Sequence, residues 1–166
     1  AFVACGYALP ECEKSLLMQE ISCAEGPSSR LQTHEINGIT FLDDSYNANP
    51  ASMRSALELF GELSCKRKVL ILGDMLELGD HSYVEHQLLG TSINNAQADV
   101  VILIGNHMKI TSSSVVSIYE PEASIEAMER IVGLLHVGDT VLIKGSREMQ
   151  LERIIEMKRQ TKVSSR

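Results

Sequence analysis

The chain has 166 residues, of which 44% are hydrophobic and 22% charged, and its formal net charge is -7. This composition is typical of a globular domain and excludes a disordered chain, which would contain fewer large aliphatic residues. No apolar run approaches the ~18 residues of a membrane-spanning helix, which excludes a membrane protein. The acidic balance and the lack of a long basic stretch argue against generic nucleic-acid binding.

Four cysteines occur, Cys5, Cys12, Cys23 and Cys65, without a CxxC pair or a histidine at zinc-binding spacing. The sequence therefore predicts reduced thiols in the cytoplasm rather than a metal site or a disulfide framework. No secretory signal is visible, and the first residue is Ala1 rather than Met, which indicates a fragment or a processed chain.

Residues 1–22 are predicted to be helical, because Leu16, Leu17 and Ile21 fall on one face. The Glu-Gly-Pro-Ser-Ser run at residues 25–29 is a linker by composition. A short appendage therefore precedes the main domain.

From Leu31 onward the pattern becomes regular. The Asn37-Gly38 dipeptide between two alternating runs predicts a β-hairpin. Short apolar strands then alternate with amphipathic helices, which predicts an open α/β fold with a mostly parallel sheet and helices on both faces. The predicted strands are Leu31–Ile36, Ile39–Asp43, Val69–Leu72, Val100–Ile104, Val115–Tyr119 and Thr140–Ile143; the predicted helices are Pro50–Leu63, His81–Ala96, Ala123–Leu135 and Arg147–Lys158.

Ligands of open α/β sheets bind outside the carboxyl ends of the strands, so the residues after each strand are the candidates for a site. The loop at residues 43–49 contains six polar side chains, which suit hydrogen bonds to a sugar or a base. Capping of the following helix is the alternative, but it accounts only for Asn49 before Pro50.

The loop at residues 144–147, Lys-Gly-Ser-Arg, precedes the last predicted helix. A helix N-terminus together with Lys144 and Arg147 makes an anion site for a carboxylate or a phosphate, and Arg147 suits bidentate contact. The alternative is a Ser146 N-cap with solvated charges.

The acidic loop Asp74–Gly79 suits an ammonium group or a metal-bound water, although an ordinary glycine-punctuated turn explains it equally well. His86 lies inside a predicted helix and is interpreted as a satisfied, partly buried histidine rather than a general base. Neither GxxxxGK[ST] nor GxGxxG occurs, so the chain cannot hold a triphosphate in the usual way.

Three motifs together resemble the C-terminal domain of the Mur ligases. They are DDSYNANPASM at residues 43–53, LGDMLELG at 72–79 followed by His86 and Gly90, and KGSR at 144–147 with Glu152. The resemblance covers about residues 30–160. It implies a helical remnant of the central ATPase domain plus linker over residues 1–29, and the Mur ligase C-terminal domain over 30–166.

The first motif resembles the branch of the family that adds D-alanyl-D-alanine to UDP-N-acetylmuramoyl-tripeptide in peptidoglycan synthesis. The resemblance implies an ATP-dependent amide ligase acting through an acyl phosphate. ATP and Mg2+ would be bound mainly by the central domain, and no metal site is expected in this chain. A cytoplasmic monomer acting on small molecules is expected, without nucleic-acid or membrane partners, and this chain alone is expected to be inactive.

The resemblance also implies roles for individual residues. The catalytic candidates are Lys144 and Asn47; the nucleotide-binding candidates are Asp44, Tyr46 and Asn49; the substrate-binding candidates are Asp74, Met75, Glu77, Ser146, Arg147 and Glu152.

Three other interpretations remain at this point. A phosphoacceptor receiver domain needs an Asp at the end of the middle strand, where this chain has Ile104-Gly105-Asn106. A non-catalytic small-molecule binding module and a sister ligase with another amino-acid acceptor fit the same loops.

Overall fold

A computed structural model of the chain describes residues 31–111, 113 and 115–161. The helical segment and linker predicted over residues 1–29 lie outside the described residues. The described elements are β1 (Gln32–Ile36), β2 (Ile39–Asp44), α1 (Pro50–Glu62), β3 (Arg67–Gly73), α2 (Ser82–Asn95), β4 (Val100–Ile104), β5 (Val116–Glu120), α3 (Ile125–Leu134), β6 (Asp139–Lys144) and α4 (Arg153–Gln160), with 3-10 turns at Gly79–His81, Met108–Ile110 and Arg147–Met149.

The Asn37-Gly38 dipeptide forms the tight turn between β1 and β2 that the sequence predicts. Both residues have positive φ angles, 54° and 74°, as a type I′ hairpin turn requires. Nδ2 of Asn37 also donates to the carbonyl oxygens of Lys158 at 2.9 Å and Thr161 at 3.0 Å. The hairpin is therefore fixed to the C-terminal end of α4.

The described strands form one sheet in the order β1-β2-β6-β3-β4-β5. β1 and β2 pair antiparallel, and every other pair is parallel, which confirms the predicted fold class. β6, the last strand in the chain, lies at the centre between β2 and β3, and all of its residues are buried.

The two faces of the sheet bury alternate residues of the same strands. Leu70, Leu72 and Leu142 pack with α1 and α2 on one face. Ile71 and Ile143 pack with α3 and α4 on the opposite face. Helices therefore cover both faces, as the alternation of strands and helices predicts.

The last helix begins later than the sequence predicts. Residues Arg147–Met149 form a 3-10 turn, Gln150 has a left-handed φ of 51°, and α4 begins only at Arg153. The cause is Leu151, which is completely buried and packs against the backbone at the end of the central strands. The chain has to turn at Gln150 to bring Leu151 there, so a continuous helix from Arg147 cannot form.

Gly145 offers a test of this packing. A methyl group at Gly145 would lie 2.7 Å from Cδ1 of Leu151 and 3.1 Å from Cα of Gly73, which is backbone. We expect Gly145→Ala to lower the free energy of unfolding by about 1–3 kcal/mol, because the neighbouring strand cannot move aside. The urea midpoint of the purified chain measures the change.

Gly133→Ala is the matched control, since Gly133 lies in α3 and no described atom lies within 4 Å of the added methyl group. Alanine favours helix over glycine by about 1 kcal/mol, so this variant is expected to be stabilised. A Gly145→Ala midpoint equal to that of the unmodified chain contradicts the packing described for Leu151.

Candidate functional site

The carboxyl ends of β2, β6 and β3 lie side by side at one edge of the sheet. The loops after β2 and β3 lead to α1 and α2 on one face, whereas the loop after β6 leads to α4 on the other. Neighbouring strands whose loops part in this way open a crevice in which open α/β folds bind ligands. The loops at residues 43–49, 73–79 and 144–152 line this sheet-edge crevice.

Lys144 is a buried ammonium group at the centre of the crevice, only 1% exposed. In the sheet register it lies opposite Asp44 on β2 and Leu72 on β3. Its Nζ lies 2.7 Å from Oδ2 of Asp44 and donates to the carbonyl oxygen of Asn47 at 2.9 Å. A buried charge requires a partner charge and hydrogen bonds. Lys144 therefore fixes the loop after β2 to the central strand.

Ser146 joins the loop after β6 to the loop after β3. Its amide donates to the carbonyl oxygen of Asp74 at 3.0 Å, and its Oγ accepts from the amide of Leu76 at 2.8 Å. The prediction that Ser146 and Arg147 stand at the N-terminus of an α-helix is wrong, because α4 begins at Arg153. The anion site predicted here therefore depends on the Arg147 side chain rather than on a helix dipole.

Polar side chains at residues 43–49 maintain the local structure at the end of β2 and in the loop that follows it. Oδ1 of Asp43 accepts from the amide of Ser45 at 3.0 Å and from its Oγ at 2.6 Å. Asn49 and Ser52 form a reciprocal capping box at the start of α1, as the capping alternative predicts for Asn49. Asn47 is exposed at the crevice, and its Oδ1 accepts from the amide of Ala48 at 2.8 Å.

Asp74 connects the loop after β3 with the loop after β4. Its carboxylate is 5% exposed and accepts from the backbone amides of Met108 at 2.8 Å and His107 at 3.3 Å. Gly105, at the end of β4, has a φ of 118°, and a methyl group there would collide with this carboxylate. Only glycine fits at that position. The Asp74 charge is thus directed at backbone amides rather than at solvent.

His86 is completely buried and holds the next residue of the same loop. Its Nε2 accepts from the amide of Met75 at 3.1 Å, and its Nδ1 lies 2.7 Å from the carbonyl oxygen of Ser82. Because an amide only donates and a carbonyl only accepts, the imidazole is neutral and carries its proton on Nδ1. Burial lowers the pKa of His86 below its ordinary value, against the hydrogen bond to Ser82 and the charge of Asp74. The ring also stacks on His107, with 5.4 Å between ring centres.

Arg147 presents a positive charge at the mouth of the crevice. Its side chain is 62% exposed, and its Nη1 donates to Oε1 of Glu152 at 3.0 Å. The guanidinium carbon lies 5.6 Å from the ring centre of Tyr46, which is a cation–π arrangement. A guanidinium held from two sides and open to solvent suits bidentate binding of a carboxylate or a phosphate.

Glu77 lies exposed on the loop after β3 and has a left-handed backbone, with a φ of 64°. Non-glycine residues seldom adopt this conformation, and it persists only where neighbouring contacts impose it. The bonds from His86 to Met75 and from Ser146 to Leu76 hold the two residues that precede Glu77. The loop therefore has a defined shape that exposes the Glu77 carboxylate.

Residues 31–111, 113 and 115–161 contain neither a cluster of metal ligands nor a helix that could span a membrane. No three His, Cys, Asp or Glu side chains in those ranges are placed to hold a metal ion. None of the helices there has the length and apolarity that a membrane span requires.

The crevice brings together residues from all three predicted loops. Their burial divides them into three groups: Lys144, Asp74, Met75 and Ser146 are buried, Asp44 and Glu152 are partly buried, and Tyr46, Asn47, Asn49, Glu77 and Arg147 are exposed.

The sequence predicts His86 as a satisfied, partly buried histidine; its ring nitrogens are satisfied as predicted, but the residue is completely buried, and the bond to Met75 was not predicted. The available signal is the Ser82–His86 spacing of one helical turn, which brings the Ser82 carbonyl to Nδ1 and leaves Nε2 to point away from the helix. The Tyr46–Arg147 contact has no local signal, because the two residues come from opposite ends of the domain.

The fold and the crevice define a ligand-binding domain of the open, doubly wound α/β class. Residues 29–147 match the family described as Mur ligase, glutamate ligase domain, and the chain belongs to this family.

Curated relatives carry one common name, UDP-N-acetylmuramoyl-tripeptide–D-alanyl-D-alanine ligase. The Bacillus subtilis protein is 33% identical over 127 residues, which cover 72% of this chain and 28% of the relative. The Escherichia coli protein is 34% identical over 116 residues, covering 69% of this chain and 25% of the relative. The chain thus spans only about a quarter of the length of these relatives.

Solved structures agree with these relatives. MurF ligase from Thermotoga maritima, in complex with ADP, superposes with a TM-score of 0.68 at 26% identity and covers 80% of this chain and 30% of its own. MurF from Acinetobacter baumannii superposes with a TM-score of 0.69 at 26% identity, covering 82% of this chain and 31% of its own.

The ion pair of Lys144 and Asp44 predicts an asymmetric response to mutation. Asp44→Asn leaves the buried ammonium without its counter-charge, so we expect the free energy of unfolding to fall by about 3 kcal/mol or more. Lys144→Met removes the buried charge itself and leaves a carboxylate that is 21% exposed. The expected loss is therefore smaller, about 1–2 kcal/mol.

Urea denaturation of both variants measures this difference. Arg54→Met is the control, because its pair with Glu85 is exposed, 52% on the arginine side, and is worth about 0.5 kcal/mol or less. If Lys144→Met is as destabilising as Asp44→Asn, the buried ammonium is not the group that needs compensation.

Proposed function

We propose that this chain is the acceptor-binding, C-terminal domain of an ATP-dependent ligase that adds D-alanyl-D-alanine to UDP-N-acetylmuramoyl-tripeptide. The shared name of the relatives and the MurF structures support this assignment. The observation that carries it is Arg147, an exposed guanidinium held between Tyr46 and Glu152 at the sheet-edge crevice. It suits the carboxylate of a small acceptor.

In the proposed reaction ATP phosphorylates the tripeptide carboxylate and gives an acyl phosphate and ADP. The dipeptide amine loses a proton and attacks the acyl carbon. An amide bond forms, and the carbon–oxygen bond to phosphate breaks as inorganic phosphate leaves. In this proposal the triphosphate is held by another part of the full-length enzyme, since the 166 residues here contain no GxxxxGK[ST]. Mg2+ bound there would supply positive charge to the phosphates.

The acceptor side of the proposed site combines one cation and one anion. Arg147 binds the carboxylate of the dipeptide, and Glu152 fixes the orientation of its guanidinium. The exposed Glu77 faces the ammonium end of the dipeptide. Asp74, Met75 and Ser146 are buried, so they contribute by setting the shape of the loop that carries Glu77. Asp74 accepts from amides of the loop after β4. The amide of Met75 donates to His86, and Ser146 accepts from the amide of Leu76.

The nucleotide side of the proposed site is the loop after β2. Tyr46 and Asn49 are exposed and suit contacts with the nucleotide, and Asn47 faces the reaction centre. Lys144 is buried and binds Asp44 and the Asn47 carbonyl, so it acts in this proposal by holding both residues in place. We further infer that the enzyme is a cytoplasmic monomer acting on small molecules, and the net charge of -7 supports the absence of a nucleic-acid partner.

Replacement of Arg147 tests the acceptor assignment. Arg147→Lys keeps the charge but loses the planar fork that matches a carboxylate. We expect the dissociation constant for D-alanyl-D-alanine, measured by NMR titration of the 15N-labelled chain, to rise about tenfold. The shifts should fall in the loops at residues 74–79 and 144–152.

Arg130→Lys is the matched control, because Arg130, on α3, makes a similar exposed pair with Glu120. This variant should leave the affinity unchanged. L-alanyl-L-alanine tests stereochemistry. Equal affinity of the unmodified and Arg147→Lys proteins contradicts the role of Arg147. If the chain binds no dipeptide, the same titration on the full-length protein decides the assignment.

The 166-residue chain by itself is expected to release no phosphate from ATP, with or without the other substrates. The reason is the missing triphosphate loop. A phosphate-release assay on the pure chain checks this, with the full-length protein as the positive control. ATP-dependent release by the chain alone refutes the division of labour proposed here.

A further inference from the structure

Three consecutive residues at the start of the loop at residues 74–79 are each held by a different partner. The Asp74 carboxylate is held by backbone amides of the loop after β4, and the Leu76 amide by Oγ of Ser146. The Met75 amide is held by Nε2 of His86. Only His86 among these partners changes its charge near neutral pH.

The bond from Met75 to His86 requires the neutral imidazole. Nδ1 already carries the proton that faces the Ser82 carbonyl at 2.7 Å. A second proton would go to Nε2 and would stand against the Met75 N–H, 3.1 Å away. Two donors cannot share one hydrogen bond, so protonation of His86 has to release the Met75 amide.

The groups around His86 favour the neutral form on balance. Asp74 from the loop after β3 and Glu85 from α2 favour protonation, while His107 from the loop after β4 opposes it. Burial is the largest effect, and it lowers the pKa of His86 below its ordinary value. The imidazole is therefore neutral at neutral pH and able to accept.

We propose that His86 is a positioning residue of the acceptor site: its neutral Nε2 fixes the Met75 amide and thereby the left-handed conformation of Glu77. The inference rests on the proposed function of the loop at residues 74–79 as the acceptor-binding loop. It adds a residue that does not face the crevice and that makes the shape of this loop depend on pH.

The direction of the pH dependence follows from the lowered pKa. Above about pH 6.5, histidine is neutral in both the folded and unfolded chains, so the contribution of the bond is complete. As pH falls below that value, protonation favours states in which the Met75 bond is broken, and the contribution is lost through the lowered pKa of the folded state. The D,D-dipeptide keeps its ammonium and its carboxylate across about pH 5.5–7, so its own charge does not change.

Two substitutions at His86 separate its bond from its bulk. His86→Gln places an amide oxygen near the position of Nε2 and keeps an acceptor, whereas His86→Leu fills the space without one. We expect hydrogen exchange of the Met75 amide at about pH 7 to lose protection about tenfold or more in His86→Leu and less than about threefold in His86→Gln. His81→Gln, at an exposed histidine of the neighbouring turn, should change nothing.

The pH dependence of dipeptide binding then distinguishes a positioning role of His86 from a merely structural one. For the unmodified chain we expect the dissociation constant for D-alanyl-D-alanine to rise as pH falls below about 6.5 and through the lowered pKa of His86. His86→Gln should bind with nearly the affinity of the unmodified chain at about pH 7, and its affinity should stay constant over this range. His81→Gln should keep the pH dependence of the unmodified chain.

Unchanged Met75 protection in His86→Leu overturns the inference, as does equal loss in His86→Gln and His86→Leu. If both variants fail to fold, 15N shifts of the His86 ring in the unmodified chain decide: a protonated Nε2 at about pH 7 overturns the inference, and an unprotonated Nε2 bonded to Met75 supports it. If the hydrogen-exchange protection of the Met75 amide changes as expected but neither this chain nor the full-length protein binds the dipeptide, the acceptor assignment fails. The bond between His86 and the loop then still stands.

Discussion

The buried ammonium group of Lys144 is the constraint on which the sheet-edge crevice depends. It lies in the central strand, where a charge is costly unless its hydrogen bonds and its counter-charge are in place. Asp44, directly opposite on β2, supplies the charge, and the Asn47 carbonyl supplies an acceptor. Because the cost of an unpaired cation is large, the loop after β2 has only one favourable position. The ion pair of Lys144 and Asp44 therefore sets the positions of the exposed residues of that loop.

The crevice accordingly has a rigid interior and a small set of exposed groups. Most of its polar side chains are used inside the protein: Asp43 binds its own loop, Asn49 caps α1, and Asp74 binds amides of the loop after β4. Among the predicted site residues, the charged side chains left exposed are those of Glu77 and Arg147. Density of polar residues in a loop is thus a sound guide to where a site lies and a weaker guide to which residues contact a ligand.

The sequence predicts the features that depend on residues near one another in the chain and misses those that depend on long-range contacts. The short apolar runs of β3 and β6 are contiguous in the sequence, so these strands, the hairpin at Asn37 and the cap at Asn49 follow from local patterns. The start of α4 does not, because Leu151 packs against a strand far away in the chain, and this packing overrides the helical pattern from Arg147. Met75 could likewise not be predicted as the partner of His86, since this bond depends on how α2 packs against the end of β3.

Exposure of Arg147 also bears on why such a domain belongs to a larger enzyme. An ion pair in open solvent is worth about 1 kcal/mol or less, because water screens the charges and binding costs side-chain entropy. The guanidinium can therefore hold a small carboxylate only weakly while the crevice faces water. Exclusion of water by an opposing domain lowers the local dielectric and strengthens the same contact several-fold. In the proposed enzyme, a pre-oriented but exposed Arg147 would couple firm binding of the acceptor carboxylate to domain closure, because the contact would strengthen only once water is excluded.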